Sequence, residues 1–204
     1  MQNCVYELNG GIYINLTNAC SNSCDFCVRN FKDGMGGSGL WLEHDPSAKE
    51  VEEELGKYDL SAYGSAVFCG FGEPTCAFDV LIEVAGWLKE RGVKTRVNTN
   101  GQANLINGIT DAARRMAPVI DCVSVSLNAS TAEKYQAVCH SVYGEEGYRA
   151  MLDFVEDCVN AGIETVVSVV DVIGEKEVEA CRKVAESVGA EFRVRPEIKE
   201  GSED

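Results

Sequence analysis

Apolar positions along the chain follow two alternating rhythms. Short runs rich in β-branched residues, with a period of two, mark strands; apolar positions three or four apart mark helices. Ile12–Leu16 (IYINL) reads as the first strand. A helix is expected from about Pro46 to Tyr58, with Asp45 as N-cap and Pro46 at its first position. Strand Ala66–Cys69 and helix Phe78–Arg91, ended by Gly92, follow. Next come strand Val93–Asn98, a helix over Leu105–Met116 and strand Cys122–Leu127. Helices Thr131–Cys139 and Gly147–Ala161, strand Ile163–Val170, helix Glu175–Val188 and strand Glu191–Arg195 complete the order. Six strands result, with a helix after each of the first five. The repeat of about 34 residues over the 204 is the size of one βα unit. Such alternation implies a parallel sheet with right-handed crossovers. Six units fall short of a closed eight-unit barrel, which needs roughly 250 residues. The expected fold is therefore α/β: a parallel six-stranded (β/α)6 sheet, flat or curled into a partial, open TIM-like barrel. In either form a ligand binds at the carboxyl ends of the strands.

No Pro-rich linker divides the chain, so one core domain is expected over 1–204, with a glycine-rich loop over 28–44. Within that loop Gly34–Gly39 (GMGGSG) reads as flexible and irregular, a mobile lid or a partner-docking segment.

Composition adds two constraints. Eighteen Lys and Arg stand against 33 Asp and Glu, a formal charge of −15. Such a surface repels phosphate backbones and anionic lipid, so free nucleic acid and membrane are poor partners. Arg193 and Arg195, two apart on a strand, would still make a local basic spot able to recognise a carboxylate or phosphate; pairing with surface acids is the competing role. Ten cysteines are many for 204 residues. The opening MQNCVYELNGG has no basic start before an apolar run, and no stretch is apolar for the length of a membrane span. The thiols are therefore expected to be reduced, in a cytoplasmic protein.

Three of them, Cys20, Cys24 and Cys27, stand at C-x3-C-x2-C spacing just after the first strand. Three thiolates can hold three corners of a cubane iron–sulfur cluster and leave one iron open. A zinc ion normally takes four ligands, and Cys4, His44 or Cys76 are the candidates to complete such a site. A non-catalytic zinc or iron–sulfur module is thus the alternative from another class. Cys69 and the remaining singletons read as small buried hydrophobes.

The triplet after the first strand of an α/β chain resembles the radical S-adenosylmethionine (SAM) superfamily. Phe26 before the third cysteine fits, as do Gly70-Phe71-Gly72-Glu73-Pro74 after the second strand and Asn98-Thr99-Asn100-Gly101 at the end of the third. Ser126 and Asn128, at the end of the fourth, stand where relatives such as glycyl-radical activating enzymes carry an acid and a lysine. More narrowly, NLTNACSNSCDFCVRN, LWLE and CGFGEP resemble small TatD-associated radical SAM proteins.

The resemblance implies a [4Fe–4S] cluster on Cys20, Cys24 and Cys27. SAM would sit on its open iron, contacted by Phe26, Gly70, Phe71, Gly72, Glu73, Thr99, Asn100, Ser126 and Asn128. Reductive cleavage of SAM gives a 5′-deoxyadenosyl radical that abstracts hydrogen from a small-molecule or protein substrate. A flavodoxin or ferredoxin would donate the electron, and such chemistry suits an anaerobic setting. A glycyl-radical-type protein-activating enzyme and a deazapurine-type small-molecule modifier are both open. Glu73 is equally readable as an exposed loop carboxylate, Trp41 as a lid or as core. Ser168 and Asp171 are weaker candidates, and neither His44 nor His140 is assigned a role.

Overall fold

A computed structural model describes residues 3–198; the ends of the domain expected over 1–204 lie outside them. The chain opens with a hairpin of β1 (Val5–Leu8) and β2 (Gly11–Ile14). Its turn, Asn9-Gly10, has φ of 49° and 74°, the left-handed pair that a two-residue turn needs to match strand twist. A small second hairpin follows, β3 (Gly34–Met35) with β4 (Ser38–Gly39). Then come α1 (Ala48–Leu55), β5 (Ala66–Phe68), α2 (Phe78–Glu90), β6 (Thr95–Thr99), α3 (Ala103–Asn107) and α4 (Ala112–Met116). The remainder is β7 (Cys122–Ser126), α5 (Ala132–Cys139), α6 (Glu146–Asn160), β8 (Glu164–Val170), α7 (Glu175–Ser187) and β9 (Glu191–Arg195).

Seven strands form the main sheet in the order β1-β2-β5-β6-β7-β8-β9. From β2 onward the pairing is parallel, and the six strands are those expected. The correction is β1, an antiparallel strand added at the edge. The end strands β1 and β9 do not pair, so the sheet is open. Strands in strict chain order with one crossover hand keep their helices on one face. That face is the core: Ile12, Ile14, Phe68, Leu81, Leu88, Val97, Val123, Met151, Phe154 and Val167 are fully buried. On β6 the alternation is visible, with Thr95, Val97 and Thr99 buried and Arg96 and Asn98 only half-buried on the opposite face.

Three local expectations are corrected. Helix α1 starts from Ser47, not Asp45. Ser47 accepts from the Glu50 backbone N–H and the Glu50 side chain accepts from the Ser47 N–H, a reciprocal box that Asp45, with Ala48 three residues on, lacks a partner to make. The helix over Leu105–Met116 is two: Gly108, at φ 61°, ends α3, and Asn104 Oδ1 accepts from the Ala112 N–H to begin α4. The glycine loop is a hairpin, with Gly36 and Gly37 both left-handed at its turn. Met35 is buried there with Tyr6, Leu40 and Phe71. Trp41 is 48% exposed, packing edge-on to Phe71 at 5.1 Å.

Phe154 has no exposed surface. Phe154→Ala is expected to cost about 3–5 kcal/mol in urea unfolding, whereas Val142→Ala, 74% exposed, stays within about 0.5 kcal/mol. Equal midpoints for the two variants would contradict this core assignment.

Candidate active site at the carboxyl edge of the sheet

The loop that leaves β2 carries all three clustered cysteines, and backbone bonds to three other parts of the chain hold it. Ala19 O accepts from the Glu73 N–H at 2.8 Å, Cys139 O from the Ser23 N–H at 2.9 Å, and Ser21 O from the Val142 N–H at 2.9 Å. Beneath it lies a buried polar network. Ser21 Oγ donates to Gln102 Oε1 (2.9 Å), and Gln102 Nε2 donates to Asn22 Oδ1 (3.1 Å) and Tyr135 Oη (2.9 Å). Asn22 Nδ2 donates to the same Tyr135 oxygen (2.8 Å), and Asn100 Nδ2 to Ser21 Oγ (2.8 Å). A buried network satisfied in this way rigidifies what it supports. Sequence reasoning missed Ser21, Asn22, Gln102 and Tyr135. Ser21 and Asn22 belong to the polar stretch between Cys20 and Cys24, which reads as ordinary loop, and nothing local marks Gln102 or Tyr135.

Glu73 is buried, 3% exposed, not the exposed carboxylate of the competing reading. Its Oε1 accepts from the Thr75 N–H (3.0 Å), Thr75 Oγ1 (2.7 Å) and Thr99 Oγ1 (2.6 Å), and its Oε2 from the Asn100 N–H (2.6 Å). Burial raises its pKa and these donors oppose the rise. One carboxylate thereby joins the turn after β5 to the end of β6, and the Thr99 hydroxyl proton and the Asn100 N–H are spent on that joint.

The two glycines before it answer to protein rather than to open space. A Cβ on Gly70 would lie 2.0 Å from Asn15 Oδ1, and one on Gly72 would lie 2.2 Å from Thr17 O. Neither position admits a side chain unless the strand beside it moves. Asn15 was also missed. It is buried at the end of β2, and its Nδ2 donates to Leu40 O at 2.7 Å, while Asn18 Nδ2 donates to Leu42 O at 2.8 Å. The two asparagines fasten the segment after the glycine hairpin.

A cavity of about 240 Å³ opens at this edge. Each of the twelve residues expected at the site lines it, from Cys20, Cys24, Phe26 and Cys27 through Gly70–Glu73, Thr99 and Asn100 to Ser126 and Asn128. Asn128 is 2% exposed and left-handed (φ 57°), its Nδ2 donating to Cys139 Sγ and its Oδ1 buried without a partner. Burial, then the Glu73 charge, pushes the Cys20 thiol up to about 12. Cys24 is raised chiefly by a hydrogen bond with Cys139, then by burial, and Cys27 by burial. Thiols held neutral in this way must lose protons to bind metal, and the metal's own charge drives that loss.

The donor set is three thiols on one wall. Among the described residues no three His, Cys, Asp or Glu side chains converge as ligands of a single ion. Of the proposed fourth zinc ligands, His44 pairs with Glu50 at the surface (3.0 Å) and Cys4 is buried close enough to Glu54, on α1, for that charge to help raise its pKa. Cys76 stands near Glu73 and Cys20, whose charges help burial push it up to about 12. Three spread thiols with an open cavity beside them suit a cluster that keeps one iron free. The weaker candidates do not line the cavity. Ser168 Oγ donates to Val125 O (3.5 Å), Asp171 accepts from the Glu197 N–H (3.0 Å), and His140 pairs with Asp25 (2.8 Å).

The described residues contain no helix long and apolar enough to cross a membrane. The chain is 29% identical over 155 residues to the Fe-coproporphyrin III synthase of Methanosarcina barkeri, covering 74% of this chain and 34% of that protein. It is 33% identical over 82 residues to a protein of Methanocaldococcus jannaschii provisionally named a glycyl-radical enzyme activating enzyme, covering 40% and 30%. The chain therefore spans about a third of the length of these curated relatives. Its fold is similar to SuiB of Streptococcus suis, crystallised with SAM, at a TM-score of 0.67 and 17% identity, over 94% of this chain and 39% of that one. The Radical SAM superfamily model matches residues 14–187. With most of its length matched, the chain belongs to the radical SAM superfamily, whose members bind a [4Fe–4S] cluster and SAM.

Proposed function

We propose that this chain is a radical SAM enzyme whose cluster is held by Cys20, Cys24 and Cys27 and whose SAM occupies the adjoining cavity. One observation carries the reading: a single cavity is lined by the three thiols and by the ends of β5, β6 and β7. When bound, the cluster supplies an electron that cleaves SAM to a 5′-deoxyadenosyl radical able to take hydrogen from a substrate. The protein's part is to hold and shield. Backbone groups of Gly70–Gly72 would hold the methionyl end, and the fixed Glu73 sets their positions. Phe26 would place its backbone, more than its ring, near the adenine. Ser126 and Asn128 would offer neutral hydrogen-bonding groups to ribose hydroxyls. In this reading the described residues form one domain, and segment 28–44 borders the cavity through Val28.

The electron donor in this reading is a flavodoxin or ferredoxin in a reducing cytosol. The printed names of the two curated relatives favour different substrates, a porphyrin-type small molecule and a protein radical site. The narrower TatD-associated likeness rests on its three sequence stretches.

Cys24→Ala is expected to abolish the brown colour and the reduced-cluster EPR signal of anaerobically reconstituted protein, while Cys122→Ala keeps both. A colourless wild-type protein carrying stoichiometric zinc, and making no 5′-deoxyadenosine, would refute the proposal.

Glu73→Gln places an amide NH2 against donors that need an acceptor. We expect a loss of about 2 kcal/mol in urea unfolding and weaker SAM binding by calorimetry. Unchanged stability would show that the carboxylate does not organise the site.

A further inference from the structure

Three arginines stand on the sheet face that the helices leave bare. On β6, Arg96 alternates with buried Thr95 and Val97. On β9, Arg193 and Arg195 are two apart and leave the strand on one side. Register brings the β9 pair toward the site: Arg195 lies beside Val170, Arg193 beside Ser168, and Ser168 beside Ser126. Arg195 lines the cavity of the three thiols, and its Nη2 donates to Ser126 Oγ at 3.5 Å. Arg96 Nε donates to Asn98 Oδ1 at 3.0 Å, and Asn98 lines the same cavity. Desolvation holds the Arg195 guanidinium below its usual range, and the Arg96 and Arg193 charges act in the same direction.

The chain carries 33 acids against 18 Lys and Arg, and most of the outer-face cations are paired, for example Arg115 with Asp79 and Lys134 with Glu177. Among the described residues no ion pair within 4.0 Å joins a carboxylate to Arg96, Arg193 or Arg195. The acids on this side include Glu164 and Glu191, the first residues of β8 and β9, Glu197 at the cavity mouth and the buried Glu73, whose oxygens are taken by Thr75, Thr99 and Asn100. Like charges gathered without a direct ion pair cost free energy. A ligand that supplies the missing negative charge recovers it, and guanidinium forks match carboxylate and phosphate oxygens two at a time.

We propose that Arg96, Arg193 and Arg195 bind a small-molecule substrate bearing two or more carboxylate or phosphate groups, its neutral portion directed toward the cavity. The inference deepens the proposed active site by naming a substrate class. Inorganic pyrophosphate and tricarballylate serve as probes, titrated calorimetrically into the full chain at low ionic strength. One of them is expected to bind with single-site stoichiometry. Arg96→Gln, Arg193→Gln and Arg195→Gln should each weaken that probe by at least about tenfold. Arg115→Gln, on the outer face and paired with Asp79 at 2.8 Å, should leave it unchanged. Tighter pyrophosphate indicates a phosphorylated substrate and tighter tricarballylate a polycarboxylate. Failure of both probes to bind wild-type protein, or equal binding by wild type and the triple Arg→Gln variant, overturns the inference. Anion binding does not need the cluster, so Cys24→Ala should retain it. Loss of anion binding in the arginine variants with no cluster in wild type would remove the active-site reading alone.

Discussion

A carboxylate buried without a cation holds this site together. Glu73 keeps its place because four donors meet it, two from Thr75 and one each from Thr99 and Asn100. Removing such a group from water is costly, and only well-aimed hydrogen bonds offset the cost. The geometry around it is therefore tightly constrained. Thr99 must end β6 with its hydroxyl turned toward the turn after β5, and Asn100 must present its N–H. Asn100 in turn places its side chain on Ser21, and Ser21 on Gln102. The chain of donors leads from one carboxylate to the loop that carries the cysteines. A ligand entering the cavity meets walls whose polar groups are already oriented, the condition under which binding costs least.

Close approach is the second constraint. The absent side chains at Gly70 and Gly72 let the turn after β5 lie directly on Asn15, Thr17 and Ala19. That contact draws the β5 turn and the cysteine loop into one wall. It gives those glycines a packing reason beside any contact with a ligand.

Much of this was legible in the chain. The six parallel strands, the helix-ending glycines at 92, 162 and 189, and the cysteine triplet at a strand end follow from period, cap and spacing. What escaped has physical reasons. The turns Asn9-Gly10 and Gly36-Gly37 are hairpin signals, but their strands are so short that no alternation frames them. Asp45 is as good an N-cap type as Ser47, and only the reciprocal bond with Glu50 decides between them. Ser21, Asn22, Gln102 and Tyr135 are polar residues far apart in sequence, and nothing local says that they will be buried against one another. Burial likewise decided Glu73, since a loop carboxylate carries no sequence mark of its donors.

Charge placement ties fold to chemistry. A chain of net charge −15 repels anions at a distance, so an acidic ligand gains nothing from long-range steering. Short-range geometry must then supply its recognition. The open barrel does this by alternation alone: each strand sends one residue set to the helices and the next to the bare face. A one-residue slip of β9 would carry Arg193 and Arg195 to the helix side and bring Phe192 and Val194 to the bare face. The Phe192 ring beneath Arg182 of α7 opposes that slip. Packing on the outer face thus fixes the register that sets the charge on the inner one, and Arg195 reaches the thiol cavity because a phenylalanine is held on the other face of its strand.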